Sequence, residues 1–139
     1  MLNLLKEVRD ILKVDPTIDG YVDERIYLAY KPIMNVASTS YPQITMNVDD
    51  GPTDSVTNVY TCTLFIDIWA KNQPGVAGGA TTAKLIAKRI YELIDARQDL
   101  TGLTPKIYQI WRASAALLFE SDTEIWHQSI NFRVEMDGY

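Results

Sequence analysis

The chain is short of the residues on which most protein chemistry depends. Its 139 residues include one cysteine, Cys62, and one histidine, His127. A zinc site needs four ligands drawn mainly from these two types, and no carboxylate spacing here supplies the rest, so zinc chemistry is excluded. Cys62 has no partner for an intrachain disulfide, and no histidine or helix start lies near it in sequence to activate its thiol. It reads as a small buried hydrophobe. His127 has no nucleophile beside it and reads as a solvated or interface residue rather than a general base. Positive charge is also scarce: the net charge is −5 and the isoelectric point is near 4.7. A general nucleic-acid coat would need a basic stripe to neutralise phosphates, which this balance argues against, although a local basic patch stays open. The longest apolar run, residues 113–119 with Ser114 allowed, is far too short to span a bilayer. The opening Met1-Leu2-Asn3-Leu4-Leu5-Lys6-Glu7 carries acidic charge and no signal-peptide cleavage pattern, which gives an expectation of a protein made and kept in a cytoplasm, away from membranes.

What is present is ordinary globular material. Nearly half of the residues are apolar (47%) and about a fifth are charged (22%), so global disorder is not expected. A chain of this length forms one domain, residues 1–139, that folds without metal or disulfide staples. Leu4, Leu5, Val8, Ile11 and Leu12 recur at helical spacing and predict a helix over 2–13, stopped by Asp15-Pro16. Residues 17–22 are compact and turn-rich, and 25–28 read as a brief strand. Two prolines and a small polar run make 31–42 a surface excursion. Alternation in 43–48 predicts a half-buried strand with Ile44, Met46 and Val48 inward. Asp49-Asp50-Gly51-Pro52-Thr53-Asp54 then turns the chain toward the most informative segment, residues 57–70. Rich in β-branched and aromatic residues and apolar on both faces near its end, this segment reads as a central strand.

A Gly-rich connector follows, and then a helix over about 80–97 with an apolar stripe of Ala83, Ile86, Ile90, Leu93 and Ile94 that should pack on the sheet. Residues 100–105 read as a turn, and 106–113 as a strand that 114–119 continue past a bend. The closing strand, 124–136, puts Trp126, Ile130, Phe132, Val134 and Met136 on one face and His127, Ser129, Asn131, Arg133 and Glu135 on the other. The predicted architecture is α+β: a mainly antiparallel sheet of about four to five strands, with an N-terminal helix and a long central helix on one face.

No catalytic constellation can be drawn. The acidic turn at 49–52 lacks the alternating ligands and terminal glutamate of a calcium loop. The segment Gly75-Val76-Ala77-Gly78-Gly79-Ala80-Thr81-Thr82-Ala83-Lys84 lacks the Gly-Lys-Ser/Thr element of a nucleotide loop, so an exposed loop with a threonine N-cap is the default. Carboxylates are scattered singly, with no glycosidase-like pair. The chain therefore reads as non-enzymatic and as needing no cofactor. Three tryptophans and eight tyrosines fit a core, and also an interface. Trp69 is the leading interface candidate. It and Phe65 lie opposite Leu64, Ile66 and Ile68, and need cover from the helix or from another subunit.

Several segments together resemble the tail terminator proteins of long-tailed bacteriophages, also called tail completion or tail-to-head joining proteins. These are an N-terminal helix leading to Val22-Asp23-Glu24-Arg25-Ile26-Tyr27, the strand start Tyr41-Pro42-Gln43-Ile44, the strand Leu64-Phe65-Ile66-Asp67-Ile68-Trp69-Ala70, the helix at 83–94, and Trp126-His127-Gln128-Ser129-Ile130-Asn131-Phe132-Arg133-Val134. The order matches over nearly the whole chain. The Ile18-Asp19-Gly20-Tyr21-Val22 stretch and the Gly-rich connector depart from the pattern, which bears on local subunit contacts.

The resemblance implies a virion protein of the tail and neck, assembled in the host cytoplasm. It would form a ring of six copies that caps the tail tube, ends its polymerisation and meets the head-completion or neck protein. DNA would pass through the lumen without sequence-specific binding. Arg25, Asp67, Trp69 and Arg133 are then candidates for subunit contacts, each with intrachain packing or ion pairing as its alternative. Loops at 49–56 and 71–79, including Asp49, Asp50, Asp54, Lys71, Gly75 and Gly79, are candidates for docking. Two other functions stay open: a head-completion or connector subunit of the neck, and a small-molecule-binding α+β domain with a cleft between sheet and helix.

Overall fold

The structure is a computed structural model that describes residues 2–28, 41–53, 59–72, 78–95, 97–100 and 106–137, with backbone alone at 2, 3, 50–53 and 97–100. Helix α1 (Leu2–Lys13) forms where the spacing predicts it and buries Leu4, Leu5, Val8 and Leu12. Asp15-Pro16 ends this helix but also begins another, α2 (Pro16–Val22), where turns are expected from sequence. The reason is local. Asp15 takes the N-cap position and its Oδ2 accepts from the Ile18 backbone N–H at 3.0 Å, while Pro16 stands at the helix start, where a missing N–H costs nothing.

Among the described residues six strands make one sheet: β1 (Ile26–Leu28), β2 (Gln43–Thr53), β3 (Val59–Lys71), β4 (Arg97–Leu100), β5 (Ile107–Glu120) and β6 (Ile125–Asp137), in the order β1-β2-β3-β6-β5-β4. Only β1 and β2 run parallel. The α+β class is as predicted, and short strands at the two edges bring the sheet to six. Strand β3 is central, as its composition requires, and pairs over its whole length with β6. Even-numbered β3 residues from Tyr60 to Ala70 are buried, and so are their partners Ile130, Phe132, Val134 and Met136. Helix α3 (Gly79–Ile94) lays Ala83, Ile86, Ala87, Ile90 and Ile94 on that face. The main core joins this layer to α1 and α2, so α1, α2 and α3 cover one side of the sheet.

Three boundaries and one burial pattern differ from the sequence reading. Strand β2 runs on to Thr53, so Asp49 and Asp50 are paired with Thr63 and Cys62 instead of turning away. Gln43 and Thr45, expected on a solvated face, are buried. Helix α3 ends at Ile94, because Asp95 leaves helical backbone at ψ 138°, and residues 97–100 then pair with β5. Its N-cap is Gly78, not a threonine. Capping comes from a distance: Asn72 Oδ1, just past β3, accepts from the Gly79 backbone N–H at 2.9 Å and from Trp126 Nε1 at 3.1 Å. Of the excursion expected at 31–42, residues 31–40 lie outside the described residues; Tyr41 is buried. The bend expected after Ala113 appears as a register shift between Arg112 and Ser114.

Candidate assembly surface

The side of the sheet away from the helices carries most of the sequence-predicted contact residues. Odd-numbered positions of β3 and β6 point there, so Asp67, Trp69, His127 and Arg133 share one face. Trp69 and His127 are cross-strand partners and stack with ring centroids 3.9 Å apart at 7°. His127 Nε2 lies 2.7 Å from Asp67 Oδ1, and Trp69 Nε1 donates to Thr45 Oγ1 at 3.1 Å. Tyr41, Trp69 and Ile125 form a second apolar cluster with no helix residue in it. Burial there pushes the Tyr41 hydroxyl up from its usual titration range, and the charge of Glu120 adds to the shift.

Trp69 therefore obtains its cover within the chain and from neither helix nor partner alone: it is 9% exposed. Asp67 is half-buried and engaged by His127, and His127 is part-buried rather than fully solvated. Arg133 is exposed, with its guanidinium 5.6 Å from the centre of the Trp111 ring. Arg25 stands apart from these three. Its Nε donates to the Pro42 carbonyl at 2.9 Å and its other nitrogen to the Tyr21 carbonyl at 3.2 Å, which ties α2 to the start of β2.

The proposed docking loops divide differently. Asp49 and Asp50 belong to β2 and Lys71 closes β3. Gly79 is a packing position at the start of α3: a Cβ there would sit 2.7 Å from Trp126 Cδ1 and 2.9 Å from the Ala70 carbonyl oxygen. Asp54 and Gly75 lie outside the described residues.

What sequence reasoning passed over is the far half of the β5–β6 hairpin. From Arg112 to Phe119 every β5 residue except Leu117 is exposed, although this stretch holds the longest apolar run in the chain. Leu118 is 57% and Phe119 44% exposed. Strand β4 pairs with β5 only at Ile107–Ile110, so among the described residues the outer edge of β5 is unpaired beyond that point. Residues 121–124 form the turn, and Glu120, Asp122 and Glu124 make this end acidic. The signal available in sequence was the run at 113–119, read there as too short for a membrane and as a strand continuing past a bend, with no association role.

A chain of the virion of a native gene transfer agent particle has the same fold, with a TM-score of 0.76 and 18% sequence identity, covering 97% of this chain and 95% of that one. What the two share is the fold. No family model and no curated protein sequence matches the chain.

A cavity of about 170 Å³ is lined by Arg9, Lys13, Asp23, Glu24 and Ile26, next to α1 and not under α3. Its lining is mostly charged, unlike the mainly apolar pockets of about 300 Å³ or more that hold small ligands. Among the described residues no group of three or more metal-ligating side chains converges, and no helix is long and apolar enough to cross a membrane.

Proposed function

We propose that this chain is a non-enzymatic structural protein of a phage-like particle: a tail terminator that closes as a ring on the last turn of the tail tube, stops its growth and presents a surface to the neck. The observation that carries the reading is the fold likeness, over nearly all of both chains, to a component of a gene transfer agent virion. The order of sequence segments that resembles tail terminators supports it independently. A closed ring of identical copies needs two different surfaces on each subunit that fit each other. The chain offers an exposed apolar hairpin arm and, elsewhere, an exposed basic helix face.

The test is to add the purified chain to its tail-tube protein during tube polymerisation and image the products by negative stain. The expected result is capped tube ends and a length distribution that shortens as the chain is added. Tubes of unchanged length with bare ends would reject the capping role. Bare tube ends together with capture by head-side neck proteins would make the chain a connector subunit instead.

A further inference from the structure

We infer that the β5–β6 hairpin arm docks onto the outward face of α3 in a second copy of this chain. The inference deepens the ring reading and rests on it only for the expectation that the assembly closes.

The arm carries an apolar surface that its own chain leaves open. Leu118 and Phe119 point to opposite faces of the sheet, toward the cross-strand partners His127 and Trp126. Between Ala113 and Phe119 there is no lysine and no proline. Natural proteins guard exposed strand edges with such residues, or cover the edge with a helix or loop. A register shift between Arg112 and Ser114 is the one such guard on this stretch, and it lies at the root of the arm. Beyond it, no helix or loop among the described residues covers the arm, and a helix of a second copy would supply that cover.

Charge favours α3 over α1, whose exposed side mixes Lys6 and Lys13 with Asp10. The end of the arm bears Glu120, Asp122 and Glu124 with no basic residue between them. Helix α3 turns Lys84, Leu85 and Lys88 away from the sheet as one exposed stripe, with Leu85 44% exposed. Each surface thus joins an apolar centre to charge, and the signs are opposite. Among the described residues neither Lys84 nor Lys88 has an ion pair, and neither have Glu120, Asp122 and Glu124. The two surfaces do not meet within one chain. The arm extends in the sheet layer, whereas the inward side of α3, through Ala83, Ile86 and Ile90, lies on that layer, so the lysines face the other way. A contact between two different surfaces of identical copies is head-to-tail, the arrangement that closes as a ring or continues as a fibre.

The test is a charge swap in the full chain, read by light-scattering mass and sedimentation across a salt series. Glu120 is left in place because its carboxylate accepts from Thr123 Oγ1 within the turn. One variant carries Lys84→Glu with Lys88→Glu, a second carries Asp122→Lys with Glu124→Lys, and a third carries all four. Each pair alone should weaken self-association by about tenfold or more, with the loss fading at high salt, and mixing the two pairs or combining them should restore it. Circular dichroism and urea midpoints should match the wild type throughout, since these are exposed positions. Self-association that is unchanged in both pairs, or that is not restored in the combination, overturns the proposal. So does a wild-type chain that stays monomeric at its highest soluble concentration and low salt. These readouts are separate from tube capping: charge-swap rescue without capped tubes rejects the terminator function alone, and capped tubes with indifferent charge variants reject this docking alone.

Discussion

The two halves of the β5–β6 hairpin are built from similar residues and behave differently. At the root, Ile107 and Ile110 face Val134 and Met136 and all four are buried under α3 and the rest of the core. In the arm, Ala115, Leu117 and Phe119 continue the same face opposite Ile130, Gln128 and Trp126, yet Ala115 and Phe119 are exposed. The two strands pair through both halves, with register shifts between Ile107 and Gln109 and between Arg112 and Ser114. What differs is whether a second layer lies over the strand, so apolar character in β5 serves folding at the root and is available for association in the arm. Hydrophobic burial acts on area removed from water, and the arm has removed little of it within one chain.

Substitution should separate the two roles, and the largest effect belongs to the root. Phe132, fully buried beside Leu64 and edge-on to Tyr91 at 6.3 Å, should cost about 3–5 kcal/mol when changed to alanine, measured by urea denaturation. A loss below about 1 kcal/mol would mean that the root is not the folding core it looks like.

The junction between helices comes next. Asp15 caps α2 and also receives the Arg89 side chain, with 2.6 Å between Asp15 Oδ1 and the nearer guanidinium nitrogen. Asp15→Ala should cost about 2 kcal/mol, mainly from the lost cap, since Arg89 is partly exposed and keeps Glu92 at 2.9 Å. The Arg89 hydrogen bonds are the main reason that the Asp15 carboxyl titrates below the usual aspartate range. A carboxyl depressed on folding contributes stability that is complete above its unfolded pKa and is lost as pH falls through the folded one. Acid titration of the urea midpoint should therefore be flatter for Asp15→Asn than for the wild type below about pH 4, and parallel curves would contradict this.

Gly79→Ala probes the seam where the hairpin meets the start of α3. The new methyl would press on Trp126 and on the Ala70 carbonyl, costing about 1–3 kcal/mol in the thermal or urea midpoint. A neutral result would show that Trp126 moves aside without loss. The smallest effect on folding belongs to the arm: Leu118→Ser should shift stability by less than about 0.5 kcal/mol while reducing self-association. A large stability loss there would place Leu118 in the fold of the single chain and erase the contrast with Phe132.

These contrasts explain which parts of the molecule were legible in the sequence. Strong periodicity located α1, β3, α3 and β6, because each shows one face to one core and its pattern is decided locally. Helix α2 was missed although its cap and proline are both in the sequence, since Asp15-Pro16 serves equally as the stop of one helix and the start of the next. Gln43 and Thr45 looked solvated by alternation. Their burial comes from the Trp69, Tyr41 and Ile125 cluster on the far face, which is assembled from three separate segments. Gly79 looked like part of a flexible loop, and its actual constraint is a tryptophan 47 positions later in the chain, at Trp126. Of the contact residues, Asp67, Trp69 and Arg133 fall on one face because strand parity was readable, whereas Arg25 is committed to two carbonyls that no local pattern reveals.

What sets the arm apart from the root is its role as an association surface outside the single-chain fold. Its most direct test is the light-scattering mass of the full chain beside that of Leu118→Ser, taken with their urea midpoints under the same conditions. The expected result is a wild-type mass of several subunits that falls toward one subunit in the variant, with midpoints that coincide. Equal masses for the two proteins, or a midpoint that collapses along with the mass, would contradict it.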